Sequence, residues 1–106
     1  MTFMAAAVEL SSSKRQRSEL QYMEMCLSNE QQYVAEHLND LSVKSAHDEN
    51  YDMDTDPAAI QLQELDEELE AEIASIETQL MYLNEEISGL ESQVKTEAKK
   101  GLWMMN

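Results

Sequence analysis

Between Ala59 and Val94 an apolar residue returns every three or four positions. One track holds Ala59, Asp66, Ile73, Leu80, Ile87 and Val94, and the other holds Leu62, Leu69, Ile76, Leu83 and Leu90. That period suits a helix that buries one stripe against a partner helix and leaves its other faces wet. Asp56 before Pro57 supplies a capping acceptor followed by proline at the first helical position. Glu64, Asp66, Glu67 and Glu68 read as acids in the first turns, and Lys95, Lys99 and Lys100 as cations near the end; both suit the helix dipole. Gly101 reads as the stop. The spacing predicts a helix over 57–100, about 66 Å long at 1.5 Å per residue.

The flanks of this stripe say what it pairs with. Glu70, Glu77 and Glu91 lie on one flank and Glu72 and Glu86 on the other, with no lysine among them. A parallel pair of identical helices would set Glu72 near Glu77 and Glu86 near Glu91. Such like-charge contacts cost a few tenths of a kcal/mol each, roughly. A less acidic helix, antiparallel if it comes from the same chain, is the better partner.

The first half of the chain supplies one. Leu20, Leu27, Val34 and Leu41 recur every seven residues, with Met23 and Leu38 between them. Phe3 and Leu10 continue the stripe with a shift of phase. Ser11–Ser13, Arg17, Glu30 and Gln31 interrupt it. The segment 45–56 lacks any apolar period and carries five acids, so it reads as the connector. Folding there pairs residues whose numbers sum to about 101. Leu41 then meets Leu62 or Ala59, Leu20 meets Leu80 or Leu83, and Lys14, Arg15 and Arg17 fall beside Glu85, Glu86 and Glu91. Exposed ion pairs of this kind add at most about 1 kcal/mol and set register more than stability. The expected fold is all-α: two long antiparallel helices, a coiled-coil-like helical hairpin joined by an acidic turn. The expectation is one domain over 1–106, with helices at about 3–44 and 57–100 and an apolar tail at 101–106. Its seam is Leu20, Leu27, Val34, Leu38, Leu41, Leu62, Leu69, Ile73, Ile76, Leu80, Leu83, Ile87, Leu90 and Val94.

Composition excludes several alternatives. The 106 residues include only two glycines and one proline, too few for the turns of a β-sandwich or barrel. Cys26 is the only cysteine, which fits a reducing compartment and leaves no disulfide framework. The net charge of −15 has the wrong sign for nucleic acid. By position the charge is −2 over 1–44, −5 over 45–58 and −8 over 59–106. Met1–Val8 is mildly apolar, but Lys14, Arg15 and Arg17 follow it, the reverse of a secretory signal, and no stretch approaches the ~20 apolar residues of a membrane span. A cytoplasmic protein, or one exported without a cleavable signal, is expected.

No constellation supports catalysis, a cofactor or a metal. Asp52, Asp54 and Asp56 alternate as in a calcium loop, but position six is Pro57 where glycine is required and position twelve is Gln63 where glutamate is required. His37 and His47 share no third ligand. Ser11–Ser13 lack a companion base, and Cys26 lies three helical turns from His37.

What remains is apolar surface off the seam. Phe3, Met4, Val8, Tyr22, Met25, Tyr33, Met81, Tyr82, Leu102, Trp103, Met104 and Met105 have no place in a two-helix stripe. Large apolar groups grouped on a surface mark contacts with other chains, and the eight methionines suit such packing. In layout the chain resembles the hairpin filament subunits of type III secretion needles and their flagellar relatives. The Ser11–Ser13 front, the Asp54-Thr55-Asp56-Pro57 turn and the apolar end at Leu102–Met105 carry that resemblance. It implies termini that pack between subunits. Two functions are therefore expected in order: a self-assembling structural subunit whose partner is itself, or an acidic coiled-coil adaptor or inhibitor that grips a basic protein.

Overall fold

The computed structural model describes the backbone of residues 2–105 and the side chains of residues 2–101. It is all-α, a helical hairpin with no strand among the described residues. Helix α1 spans Phe3–His47 and helix α2 spans Pro57–Met105. Each start has its own cap. The Ala5 amide donates to Thr2 Oγ1 at 3.1 Å, and the Ala58 amide donates to Asp56 Oδ1 at 3.0 Å. Both satisfy donors that a helix leaves open in its first turn.

The chain divides into two compact units. The first joins Met1–Tyr22 of the front to Glu77–Asn106 of the back, and the second is Met23–Ile76. In each unit a stretch of α1 packs antiparallel on a stretch of α2. The first unit buries Ala6, Ser13, Leu80, Leu83, Ile87 and Leu90, with Leu10, Arg17, Leu20 and Val94 half-buried. The second buries Val34, Ala59, Leu69 and Ile76, with Leu27, Leu38, Leu41, Leu62 and Ile73 half-buried. Every predicted seam residue is thus buried or half-buried.

The seam of α1 is more regular than its leucines suggest. Apart from Ala7, its covered positions are Ala6, Leu10, Ser13, Arg17, Leu20, Glu24, Leu27, Gln31, Val34, Leu38, Leu41 and Ser45. They alternate steps of four and three without a break. Ser13, Arg17 and Gln31 are therefore members of the stripe, not interruptions, and Leu10 keeps the phase of Leu38. Met23, placed between seam leucines by sequence, is half exposed.

Several expected boundaries move. Helix α1 runs to His47, three residues past the predicted end, and Lys44 and His47 stand in its last turn, where cations suit the dipole. Helix α2 continues past Lys100 and through Gly101 to Met105, so the predicted tail is helical over 101–105, and Asn106 lies outside the described residues. Gly101 stops nothing because it does not adopt a positive φ, and no proline follows it. No acid lies in the first turn of α2 and no cation in its last. Glu64, Asp66, Glu67 and Glu68 come later than the first turn, and Lys95, Lys99 and Lys100 end before the last, so neither cluster faces a helix terminus. The Asp56 cap is the only negative group at that start.

Two substitutions in the first unit test this seam in opposite directions. Ile87 is 2% exposed, so Ile87→Ala should lower the unfolding free energy in urea by about 2–5 kcal/mol. Gly89, two residues on, has nothing within 4 Å of where a Cβ would stand. Gly89→Ala should raise stability by about 0.5–1 kcal/mol, because glycine is a poor helix former.

Candidate functional site

The two units differ sharply in charge. The first holds six cations and seven acids, a net −1, and the second holds one cation and fifteen acids, a net −14. Nearly all of the chain's −15 therefore belongs to one unit.

The edges of the first unit also differ. Lys14, Asn84 and Glu91 directly follow the buried Ser13, Leu83 and Leu90, and so lie on one flank of the seam. This flank is closed by polar pairs. Lys14 Nζ stands 3.7 Å from Glu91 Oε1, and Arg17 Nη1 donates to Asn84 Oδ1 at 3.2 Å. Gln16, Gln79 and Glu86 precede seam positions and lie on the other flank. There the edge is an open groove of about 240 Å³ lined by Gln16, Leu20, Gln79, Tyr82, Leu83 and Glu86. Leu20 and Leu83 are seam residues reached from outside, and Tyr82 is 64% exposed. Arg15 and Glu86 have no hydrogen-bonding or ion-pair partner among the described residues.

The second unit contains the acidic turn. Asp48 Oδ1 accepts from the Asn50 amide at 2.9 Å, Asp52 Oδ1 from the Asp54 amide at 3.0 Å, and Asp56 Oδ1 from the Ala58 amide at 3.0 Å. Each aspartate thus folds the backbone two residues ahead of it. Ser45 Oγ donates to the Tyr51 carbonyl at 3.5 Å and accepts from the Met53 amide at 3.3 Å, fixing the connector to the end of α1. Tyr51 Oη donates to Asp56 Oδ2 at 2.7 Å, and Lys44 Nζ stands 4.3 Å from the centre of the Tyr51 ring. The hydrogen bond to Asp56, then desolvation and the charges of Asp56 and Asp52, push the Tyr51 phenol up to about 12. The Tyr51 hydroxyl, the Ala58 amide and, last, Lys44 hold the Asp56 carboxyl below its ordinary value. Among the described residues no three His, Cys, Asp or Glu side chains gather as a metal site.

The residues predicted as an assembly surface lie in both units. Phe3, Met4, Val8, Tyr22, Met81 and Tyr82 are exposed in the first, and Met25 and Tyr33 in the second. Leu102, Trp103, Met104 and Met105 have side chains outside the described residues. The Tyr33 ring meets His37 edge-on at 6.5 Å, and Cys26 is an exposed thiol. Of the predicted cross-helix charges, only Lys14 finds its acid; Arg17 takes the amide of Asn84, and Arg15 faces outward. Sequence reasoning missed the Tyr51–Asp56 pair, the Thr2 cap and the groove beside Leu20. No family model, no curated protein and no solved structure matches this chain. No helix among the described residues is long and apolar enough to cross a membrane.

The turn sets a pH dependence with two opposite limbs. Asp56 titrates lower folded than unfolded, so its contribution is present above the ordinary value of 3.8 and is lost as pH falls through the folded value. Tyr51 titrates higher folded than unfolded, so its contribution is complete below 10.0 and is lost as pH rises through about 12. Tyr51→Phe should move the Asp56 carboxyl titration, followed by NMR, upward toward 3.8. An unchanged Asp56 titration would mean that the Tyr51 hydroxyl does not hold it down.

Proposed function

We propose that the chain is a structural subunit that associates with copies of itself. The carrying observation is the exposure of large apolar side chains around a fold with one seam. Met4, Val8, Tyr22, Met25, Tyr33, Met81 and Tyr82 are each more than half exposed. No large side chain among the described residues is fully enclosed. Two helices have no inner layer to receive those groups, and a neighbouring copy supplies one. The resemblance in layout to needle and flagellar subunits, drawn from the sequence, extends this reading to a filament or appendage in which terminal segments pack between subunits.

A second reading rests on a different observation, the net −14 of the second unit. It makes the chain an acidic adaptor or inhibitor that draws in a basic protein electrostatically. Salt separates the two. A complex with a basic partner loosens as salt screens the attraction, whereas association of identical −15 chains tightens as salt screens their repulsion. Light scattering behind size exclusion, run across protein concentration at low and high salt, should show mass rising with both. A monomer at every concentration and salt would end the self-assembly reading.

A further inference from the structure

We propose that copies of the chain stack side by side through the first unit, the outer face of α1 in one copy packing antiparallel on the outer face of α2 in the next. This rests on the self-association reading above and names the two surfaces it uses.

Both faces follow from the seam. Two residues along a helix is a turn of about 200°, so a position two away from a seam residue lies on the opposite side. On α1 the residues two before the seam are Met4, Val8, Ser11, Arg15, Ser18 and Tyr22. On α2 the residues two after it are Thr78, Tyr82, Glu85, Gly89, Ser92 and Thr96. All twelve are exposed. Each string repeats the alternating steps of four and three that let one helix lie along another. Each holds a single charge, Arg15 on α1 and Glu85 on α2, and neither has an ion-pair or hydrogen-bond partner among the described residues.

Laid antiparallel with Arg15 on Glu85, the two faces match at every level. Met4 meets Thr96, Val8 meets Ser92, Ser18 meets Tyr82 and Tyr22 meets Thr78, a larger side chain against a smaller one each time. Ser11 meets Gly89, where the two backbones come closest. The edges bring no like charges together: Lys14 falls by Ser88, Lys95 by Ala7, Glu19 by Gln79 and Glu86 by Ser12. Gly89 adds an independent sign. Glycine weakens the middle of a helix, and nothing within the chain comes within 4 Å of where its Cβ would stand. Close approach of a neighbouring backbone gives that glycine a use.

Charge says which occupant fits. The α1 face on its own kind leaves Arg15 without an acid, and the α2 face on its own kind leaves Glu85 without a cation. A foreign partner would cover one face and leave the other bare. A second copy, set front to back, joins Arg15 to Glu85. The register is nearly that of the hairpin itself, where Arg17 reaches Asn84, so neighbouring copies lie level. The two faces lie on opposite sides of the unit. Each added copy therefore leaves one of them open, and growth continues past a dimer.

The test is sedimentation velocity on the full chain, with helical circular dichroism as the folding control. The wild-type chain should grow past two copies as concentration rises. Arg15→Glu alone and Glu85→Arg alone should each weaken association about tenfold or more, because like charges then meet. An equimolar mixture of the two variants should recover it, since their exchanged charges meet as opposites at every contact. Gly89→Leu, which suits an exposed helix but fills the close approach, should block growth with helicity intact. Glu67→Arg in the second unit makes the same change in net charge as Glu85→Arg and should weaken nothing. A wild-type chain that associates but ignores Arg15→Glu, Glu85→Arg and Gly89→Leu overturns these faces and leaves the self-assembly reading standing. A dimer that never grows, a mixture that fails to recover, or an equal loss with Glu67→Arg overturns them in the same way. A wild-type chain that never associates overturns both readings.

Discussion

Everything in this fold hangs on a single apolar stripe shared by two helices. Such a stripe has no second layer, so its large side chains keep an edge toward water and only the small Ala6 and Ala59 are wholly covered. This explains the unequal quality of its two halves. Helix α2 contributes leucine or isoleucine at nine of its fifteen covered positions, while α1 sets Ser13, Arg17, Glu24 and Gln31 among its leucines. Burying an unpaired charge in an enclosed core would be prohibitive. In this seam Arg17 and Glu24 are only half-buried, and Arg17 reaches Asn84 at 3.2 Å across the flank. Polar members of a seam weaken it but make neighbouring registers worse still. Helix α2 supplies most of the apolar contact, and α1 helps fix where it sits.

That division decides how much of the fold could be read from the residues alone. The stripe of α2 is legible because its apolar members mark both tracks with one polar exception, Asp66. In α1 one track runs Leu10, Arg17, Glu24, Gln31, Leu38 and Ser45. Four of its six members are polar, so hydrophobicity alone shows a broken pattern where geometry shows a continuous one. The pairing of Lys14 with Glu91 follows from opposite charge and register. Arg17 with Asn84 does not, because asparagine carries no sign to search for. Gly101 misled for a related reason: glycine permits a helix stop but does not impose one, and Leu102–Met105 continue the helix.

The acidic turn shows why composition is a poor guide to binding. Five acids in 45–56 invite a cation or a basic partner. Yet Asp48, Asp52 and Asp56, four residues apart, each accept the amide two positions ahead. The connector is built from these short bonds and contains no residue at positive φ. It therefore needs no glycine, and its turn chemistry comes from aspartate. Part of the acidity is thus structural. Tyr51 then ties the same turn to the α2 cap, since Asp56 gives one oxygen to the helix start and the other to the phenol.

Charge along the chain conceals charge in the fold. Divided by position, the −15 falls as −2, −5 and −8, which suggests a gradient toward the C-terminus. Folding back sets the basic Lys14, Arg15 and Arg17 in one unit with Lys95, Lys99 and Lys100, and the apparent gradient becomes a contrast between −1 and −14. Repulsion between exposed charges fades beyond about 8–10 Å at moderate salt. It therefore acts chiefly where surfaces touch. A −14 surface resists a copy of itself at contact range, and a −1 surface does not. Six of the seven cations lie in the first unit, which is why the two units differ in charge far more than the order of residues along the chain suggests.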